Sequence, residues 1–457
     1  QVSAESTGKT YVEISARGDD NAEKRMYVHI ISLPDDTEVK AENADEEYIA
    51  YPQISAGDNF ILALRANGDL YAWGDNTYGQ LGLGLGRVGS IDMKPQKLNV
   101  TKTVTEITTG ADGEDVVTSR EVPVKFTKIA AGPDFAMAID VDGNLYTWGR
   151  NNNGQIGNGT DTSDFIDEKN PSEVSNKETL VPSPQMVAYF TDYNVVMQDI
   201  SAGGSVGNSY AMALSSNGDV FAWGSNKFKQ VENSDNEIVS TPVYVPVSRM
   251  TSIAAGKGDE FTTSYGVQAL GKVLAWGSNE NSEMGEGVID SVTGQAIVSG
   301  GGLENIRVLE VAAGNGNAAA LTENTTNNSY EYYVWGNNDN YQTGITTNTL
   351  PISTPVKNTD MSQTIDITSG NASMMVQKGT GTVNVIGDNT NGKLAVGNNN
   401  SVNEIVAAKI TDGTDFTGVL AAAVSSNGGM SAFIMQDGSI RTVGNNERCL
   451  LYTSPSP

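Results

Sequence analysis

The 457-residue chain offers little of the usual apparatus of catalysis, with one histidine, His29, and one cysteine, Cys449. Serine–histidine catalysis and multi-histidine metal sites need imidazoles that the rest of the chain cannot supply. His29 itself stands between Val28 and Ile30 in an alternating stretch and reads as a solvent-facing strand residue. Carboxylates remain. The densest group, "DTSDFIDE", places Asp161, Asp164, Asp167 and Glu168 together, a composition that suits either weak calcium binding or a solvated acidic loop. "DVDGN" at 140 begins like a calcium loop but lacks the later ligands and the closing Glu. The glycine-rich "DLYAWGDNTYGQLGLG" at 69–84 raises the further question of a phosphate cradle.

Repetition answers that question. "NLYTWGRNNNGQIGNG" follows at 144, "DVFAWGSNKFKQVENS" at 219, "KVLAWGSNENSEMGEG" at 272 and "YYVWGNNDNYQTG" at 332, with weaker copies at 382 and 439. A second signature precedes six of them: "ISAG" at 54, "IAAG" at 129, "ISAG" at 200, "IAAG" at 253, "VAAG" at 311 and "ITSG" at 367. In the seventh copy it has become "VSSN" at 424. All five tryptophans, Trp73, Trp148, Trp223, Trp276 and Trp335, directly precede the motif glycine. Those glycines, Gly74, Gly149, Gly224, Gly277, Gly336, Gly387 and Gly444, are spaced by 75, 75, 53, 59, 51 and 57 residues. A phosphate loop has no reason to recur in this way; a structural unit does.

The elements that form the unit are legible. In "NFILALRANGDLYAWG", Phe60, Leu62 and Leu64 alternate as in a strand, and Asn67-Gly68 predicts a tight hairpin with positive φ angles. Asp142-Gly143, Asn217-Gly218 and Asp437-Gly438 repeat the turn. A further strand ends in the Ala-Gly signature, and another is expected around "PQKL" at 95. Four antiparallel strands per unit and almost no helix signal predict an all-β, seven-bladed propeller. The tryptophans and motif glycines are then repeat anchors, one buried indole per blade with close packing beside it. The asparagine-rich connections suit turn conformations better than sugar binding.

The signature "ISAGDNFILALRANGDLYAWGDNTYGQLGLG" resembles the regulator of chromosome condensation repeats, a resemblance that covers roughly residues 54–446 of a propeller placed at 54–448. The resemblance implies the seven-bladed propeller. It also implies two kinds of function: nucleotide exchange on chromatin, as in the founding member, or binding by secreted members, one of them an inhibitor of β-lactamases.

Composition narrows this choice. With 28 basic and 55 acidic residues the net charge is −27, which disfavours phosphate backbones and anionic membranes. No apolar run is long enough for a membrane helix. Residues 1–40 alternate as two strands around "RGDDNAEKR" and are similar to the C-terminal hairpin of bacterial cadherin-like or immunoglobulin-like β-sandwich modules. Residues 41–53 read as a linker, and 449–457 as an adapter-derived tail that truncates the last blade.

Two inserts lengthen the first two intervals. "TKTVTEITTGADGEDVVTSREVPVKF" predicts a protruding hairpin whose turn presents Asp112, Glu114 and Asp115; the acidic second insert presents Asp164 and Phe165. Inserts in repeat arrays often recognise partners, so these five residues are the candidates for a partner contact. The reading is a non-catalytic binding propeller of a secreted or cell-surface bacterial protein, taking a protein or surface glycan, without cofactor, metal or nucleic acid. The alternative is a guanine-nucleotide exchange or regulatory factor for a small GTPase.

Overall fold

The structure, a computed structural model, describes residues 8–17, 23–32, 48–109, 115–161, 180–258, 261–287, 295–298, 300–303, 306–324, 329–347, 349–358, 364–409, 413–426 and 429–446. Between Gln53 and Gly444 it is a ring of seven antiparallel sheets, the predicted propeller. Blades 1 to 6 have four strands each, and blade 7 has three among the described residues. In blade 2 the order from the axis outward is Phe126–Ala131, Phe135–Asp140, Leu145–Arg150 and Leu180–Met186. The strand expected around Pro95 is Ile91–Lys97, the outermost of blade 1.

The second strand of each blade is buried on both faces because a neighbouring blade covers each side. Large and small residues alternate there: Phe135, Met137 and Ile139 point one way, Ala136 and Ala138 the other, all essentially inaccessible. A wedge-shaped blade thus seats its bulky face against the flat face of the next. The last such seam joins Ile54 and Ile61 of blade 1 to Leu420, Met430 and Ala432 of blade 7, which closes the ring. Tyr51 adds a hydrogen bond from its hydroxyl to the Leu420 carbonyl, 3.1 Å.

The Trp-Gly step is a β-bulge. Pairing between third and fourth strands slips between Ala72 and Gly74, Thr147 and Gly149, Ala222 and Gly224, Val334 and Gly336, and Val385 and Gly387. The residue before each of these five glycines therefore drops out of the pairing with the fourth strand, its side chain packed against the preceding blade, whereas Trp276 of blade 4 stays paired with Gln295. Trp73, Trp148, Trp223, Trp276 and Trp335 are all buried. Gly224 shows why glycine is needed: its φ is +107°, and an added Cβ would stand 2.6 Å from the Tyr210 Cα.

One sequence expectation needs correcting. In the Asn67-Gly68 turn only the glycine has positive φ (78°). Gly68 N–H bonds to the Arg65 carbonyl and Arg65 N–H to the Asp69 carbonyl, both 2.9 Å. That is a three-residue turn ending in a left-handed glycine, not a two-residue turn with both φ angles positive. Ahead of the ring in the sequence, Gly8–Arg17 and Glu23–Ser32 pair antiparallel, as the alternation predicts.

Candidate functional site

The hairpin turns between second and third strands of blades 1, 2, 3, 4 and 6 are stitched to the start of the next blade. Phe126 N–H bonds to Gly68 O (2.9 Å), Met197 to Gly143 O (2.9 Å), Met250 to Gly218 O (3.0 Å) and Val419 to Gly381 O (2.9 Å). These turns therefore share one face of the ring, and that face carries two departures from the repeat.

The first departure is the insert between blades 1 and 2. Thr101–Thr109 and Asp115–Pro123 form the expected hairpin, closed at its base by Val124 N–H to Val100 O, 2.8 Å. Its arms are held by Glu121 accepting from Thr103 Oγ1 (2.6 Å) and by Arg120 on Glu106 (3.1 Å). Lys102 anchors it to the blade 2 turn through Asp140 (3.4 Å) and Asp142. Val117 is exposed on this hairpin.

The second departure connects blades 2 and 3. Ala188–Asp192 forms a single helical turn, the α-helix of this stretch, and Phe190 pins it down. The Phe190 ring is buried edge-on against Phe221 (5.2 Å) and 5.8 Å from Trp223. Around that pin lie aromatic and sulfur side chains that remain open to solvent. Tyr193 is 70% exposed, Tyr244 49% and Met186 45%, with Tyr189 between them, 5.0 Å from Tyr193 and 6.0 Å from Phe221. Val196 and Val141 continue the surface towards the hairpin; Val196 lies against Gly143 of the turn that holds Lys102. Burial, and then the nearby Asp219 charge, push the Tyr244 hydroxyl above its ordinary pKa. Asp192 is exposed in the same region and Asp219 acts on Tyr244, so carboxylates border these rings, while Asp142 is paired with Lys102.

Residues 53–80, 126–155 and 199–230 match one family model, and 67–113, 142–207 and 217–258 match a second, both described as regulator of chromosome condensation (RCC1) repeat. These segments are RCC1 repeats. The chain is 28% identical over 282 residues to the E3 ubiquitin-protein ligase HERC2 of Homo sapiens, covering 62% of this chain and 5% of HERC2. The ultraviolet-B receptor UVR8 of Arabidopsis thaliana is 24% identical over 275 residues, covering 52% of this chain and 56% of UVR8. The chain thus spans less than two thirds of the length of these curated relatives. Among solved structures, Prp20p of Saccharomyces cerevisiae superposes with a TM-score of 0.62 at 16% identity, covering 82% of this chain and 80% of that one. That structure is described with the binding properties of Prp20p to Gsp1p and histones. Human WBSCR16 gives 0.60 at 16%, covering 84% and 86%. At such identities the likeness shows the fold.

The RCC1 repeats also place the inserts. Asp112, Glu114, Asp164 and Phe165 lie outside the described residues, and Asp115 begins the returning arm of the hairpin. The flanks of the second insert, Asp161 and Leu180, are at the other end of blade 2: Leu180 pairs with Arg150, whereas Met186 pairs with Tyr146. The two inserts therefore leave from opposite faces. Sequence reasoning brought both inserts forward and passed over "VAYFTDY" at 187–193, whose only signal was aromatic residues in a stretch with no repeat counterpart. Among the described residues no group of His, Cys, Asp or Glu is placed to hold a metal ion.

Proposed function

We propose that this chain is a non-catalytic binding propeller that docks a protein partner on the hairpin-turn face of blades 2 and 3. The observation that carries the reading is the exposed set of Met186, Tyr193 and Tyr244 around a buried Phe190. Tyrosine and methionine are the residue types enriched in interface cores, and charged residues are depleted there. Rings already ordered by tilted and edge-on contacts with one another lose little freedom on binding. The surrounding Asp192 and Asp219 select a partner that presents basic residues at the rim, with Arg or Lys able to sit over the tyrosine faces. The resemblance of residues 1–40 to a β-sandwich hairpin supports a secreted or cell-surface setting.

The test compares partner capture by the wild type and by Tyr193→Ser, Tyr244→Ser and Leu270→Ser. Leu270 is 83% exposed on the blade 4 turn of the same face and serves as the control. Loss of a captured protein in the tyrosine variants, with retention in Leu270→Ser, supports the reading; equal capture by all four removes it.

The protruding hairpin keeps a second reading open, regulation of nucleotide exchange on a small GTPase. Release of labelled GDP that depends on residues 101–122 would favour it; release unaffected by their deletion would not.

A further inference from the structure

On the face opposite the hairpin turns, the loops that follow the inner strands link blade to blade around the axis. Asp58 N–H bonds to Pro133 O (3.2 Å), Gly204 to Gly256 O (2.8 Å), Gly258 to Gly204 O (3.0 Å), Lys257 to Gly314 O (3.0 Å) and Asn315 to Asn371 O (3.0 Å). Across all seven units these loops contain a single cation, Lys257. Its ammonium makes no ion pair or hydrogen bond with a described residue. The charge that acts on it is that of Asp58, which belongs to blade 1 while Lys257 belongs to blade 4. The loops that carry the two side chains belong to the same ring of blade-to-blade contacts on this face.

The same face holds polar atoms with nothing to bond to. Ser205 and Asn317 are each 1% exposed, and Ser205 Oγ and both side-chain heteroatoms of Asn317 lack partners, as does Asn315 Oδ1. Ser205 and Asn315 lie on the loops bonded to that of the lysine, and Asn317 Oδ1 lies against Gly314, whose carbonyl takes the Lys257 N–H. Ser205 follows Gly204, which bridges to Lys257, and the Asn315 side chain lies against Gly258, where an added Cβ would be 2.3 Å from Oδ1. Buried polar groups are nearly always satisfied, so orphaned donors and acceptors beside an unpaired ammonium mark a place that something fills.

We propose that the axial mouth at Lys257, Ser205, Asn315 and Asn317 binds a small carboxylate that also carries a hydrogen-bond donor. The carboxylate accepts from the ammonium and from the Ser205 and Asn317 donors; a ligand hydroxyl donates to one of the Asn315 and Asn317 oxygens, and an amine can donate to both. A dianionic phosphate fits worse, because one ammonium leaves its second charge facing Asp58. Burial already holds the Lys257 amine down, to about 8, against the opposing pull of Asp58. A bound carboxylate reverses that balance by favouring the charged form. The site lies on the other face from the proposed protein-docking surface and does not depend on it.

The experiment follows lysine Cε signals of the whole chain by NMR through a pH titration, in sodium lactate, sodium acetate, sodium phosphate or sodium chloride at equal ionic strength. The Lys257 signal is assigned from its loss in Lys257→Met, or in Lys257→Arg if the methionine variant does not fold. Lactate is expected to raise the Lys257 midpoint by at least one unit, acetate by less, and chloride and phosphate not at all. Lactate should also raise the melting temperature of the wild type and not that of Lys257→Met. An unmoved midpoint, or an equal shift with chloride, overturns the proposal. Asp259 and Glu260 lie outside the described residues; an internal carboxylate occupying the place would give that unmoved midpoint.

Discussion

The indole Nε1 of Trp335 donates a hydrogen bond to the main-chain carbonyl of Glu283, 2.6 Å away and one blade back. Trp148 does the same to Gln80, Trp223 to Gln155 and Trp276 to Gln230, each at 2.9 Å. The side chain at the accepting position folds inward and takes the main-chain N–H two residues earlier. Gln80 does so with Tyr78, Gln155 with Asn153, Gln230 with Phe228 and Gln342 with Asn340, all at 2.8 Å, and Glu283 with Asn281 at 2.7 Å. Blade 4 therefore buries a carboxylate where four other blades bury an amide.

Burial, reinforced by the nearby Glu280, pushes Glu283 up to about 7 from the ordinary 4.5, despite the hydrogen bonds that favour its charge. The folded state thus binds the proton more tightly than the unfolded chain, and this group's stabilising contribution is complete below about 4.5 and lost as pH rises towards 7. Glu283→Gln should stabilise the protein at pH 7.5 by on the order of 3 kcal/mol and by little at pH 4.5. Urea denaturation at the two pH values measures it; a pH-independent difference would show that the carboxylate is not the cause.

Replacing one latch tryptophan should be costly. Trp223→Ala removes a fully buried side chain and its bond to Gln155, a loss of about 3–5 kcal/mol in denaturant unfolding. Trp223→Phe keeps most of the apolar volume but leaves the Gln155 carbonyl unpaired, which should cost about 1–3 kcal/mol. A Trp223→Phe variant as stable as the wild type would mean that the bond contributes nothing beyond packing, and equal losses in the two variants that the retained apolar volume contributes nothing beyond the bond.

The motif glycine should resist even the smallest side chain. Gly224→Ala places a Cβ 2.6 Å from the Tyr210 Cα at a φ of +107°, so backbone strain and overlap act together. A fall of more than about 2 kcal/mol is expected, against about a few tenths at an open surface glycine. Gly207→Ala, with nothing within 4 Å of the added atom, is the comparison that isolates the overlap, since its φ of +86° is also left-handed.

Deleting residues 101–122 should leave the ring folded. The hairpin's tie to blade 2 is Lys102 on Asp140 and Asp142, and Asp140 keeps its bonds from the N–H groups of Asp142 and Asn144, both 2.9 Å. A partly exposed ion pair contributes about 1 kcal/mol or less. The melting temperature should change little while partner binding falls; unchanged binding would remove the hairpin from the interface.

The strands, the turns and the blade count were legible because apolar alternation and Trp-Gly recur with the chain's own rhythm, and each copy reinforces the others. The direction of Trp148 was not, because a bulge that swings the indole onto Gln80 of the previous blade is a register between units, not within one. Glu283 was visible in the sequence as the odd member of a glutamine series, yet its meaning needed the inward fold of Gln80 and Gln155. The surface around Tyr193 escaped for the opposite reason: nothing repeats there, so periodicity had no purchase on it.

The departure of the two inserts from opposite ends of blade 2 makes the ring a spacer. From Leu145 to Arg150 the strand spans six residues, or roughly 20 Å at about 3.3 Å per residue. Two bodies held by the two inserts would stand apart by that thickness, neither shadowing the other. A disc occupied on both sides raises the local concentration of one guest near the other without any contact between them. Its output would then be the distance it enforces, set by the length of a strand and common to whatever it carries.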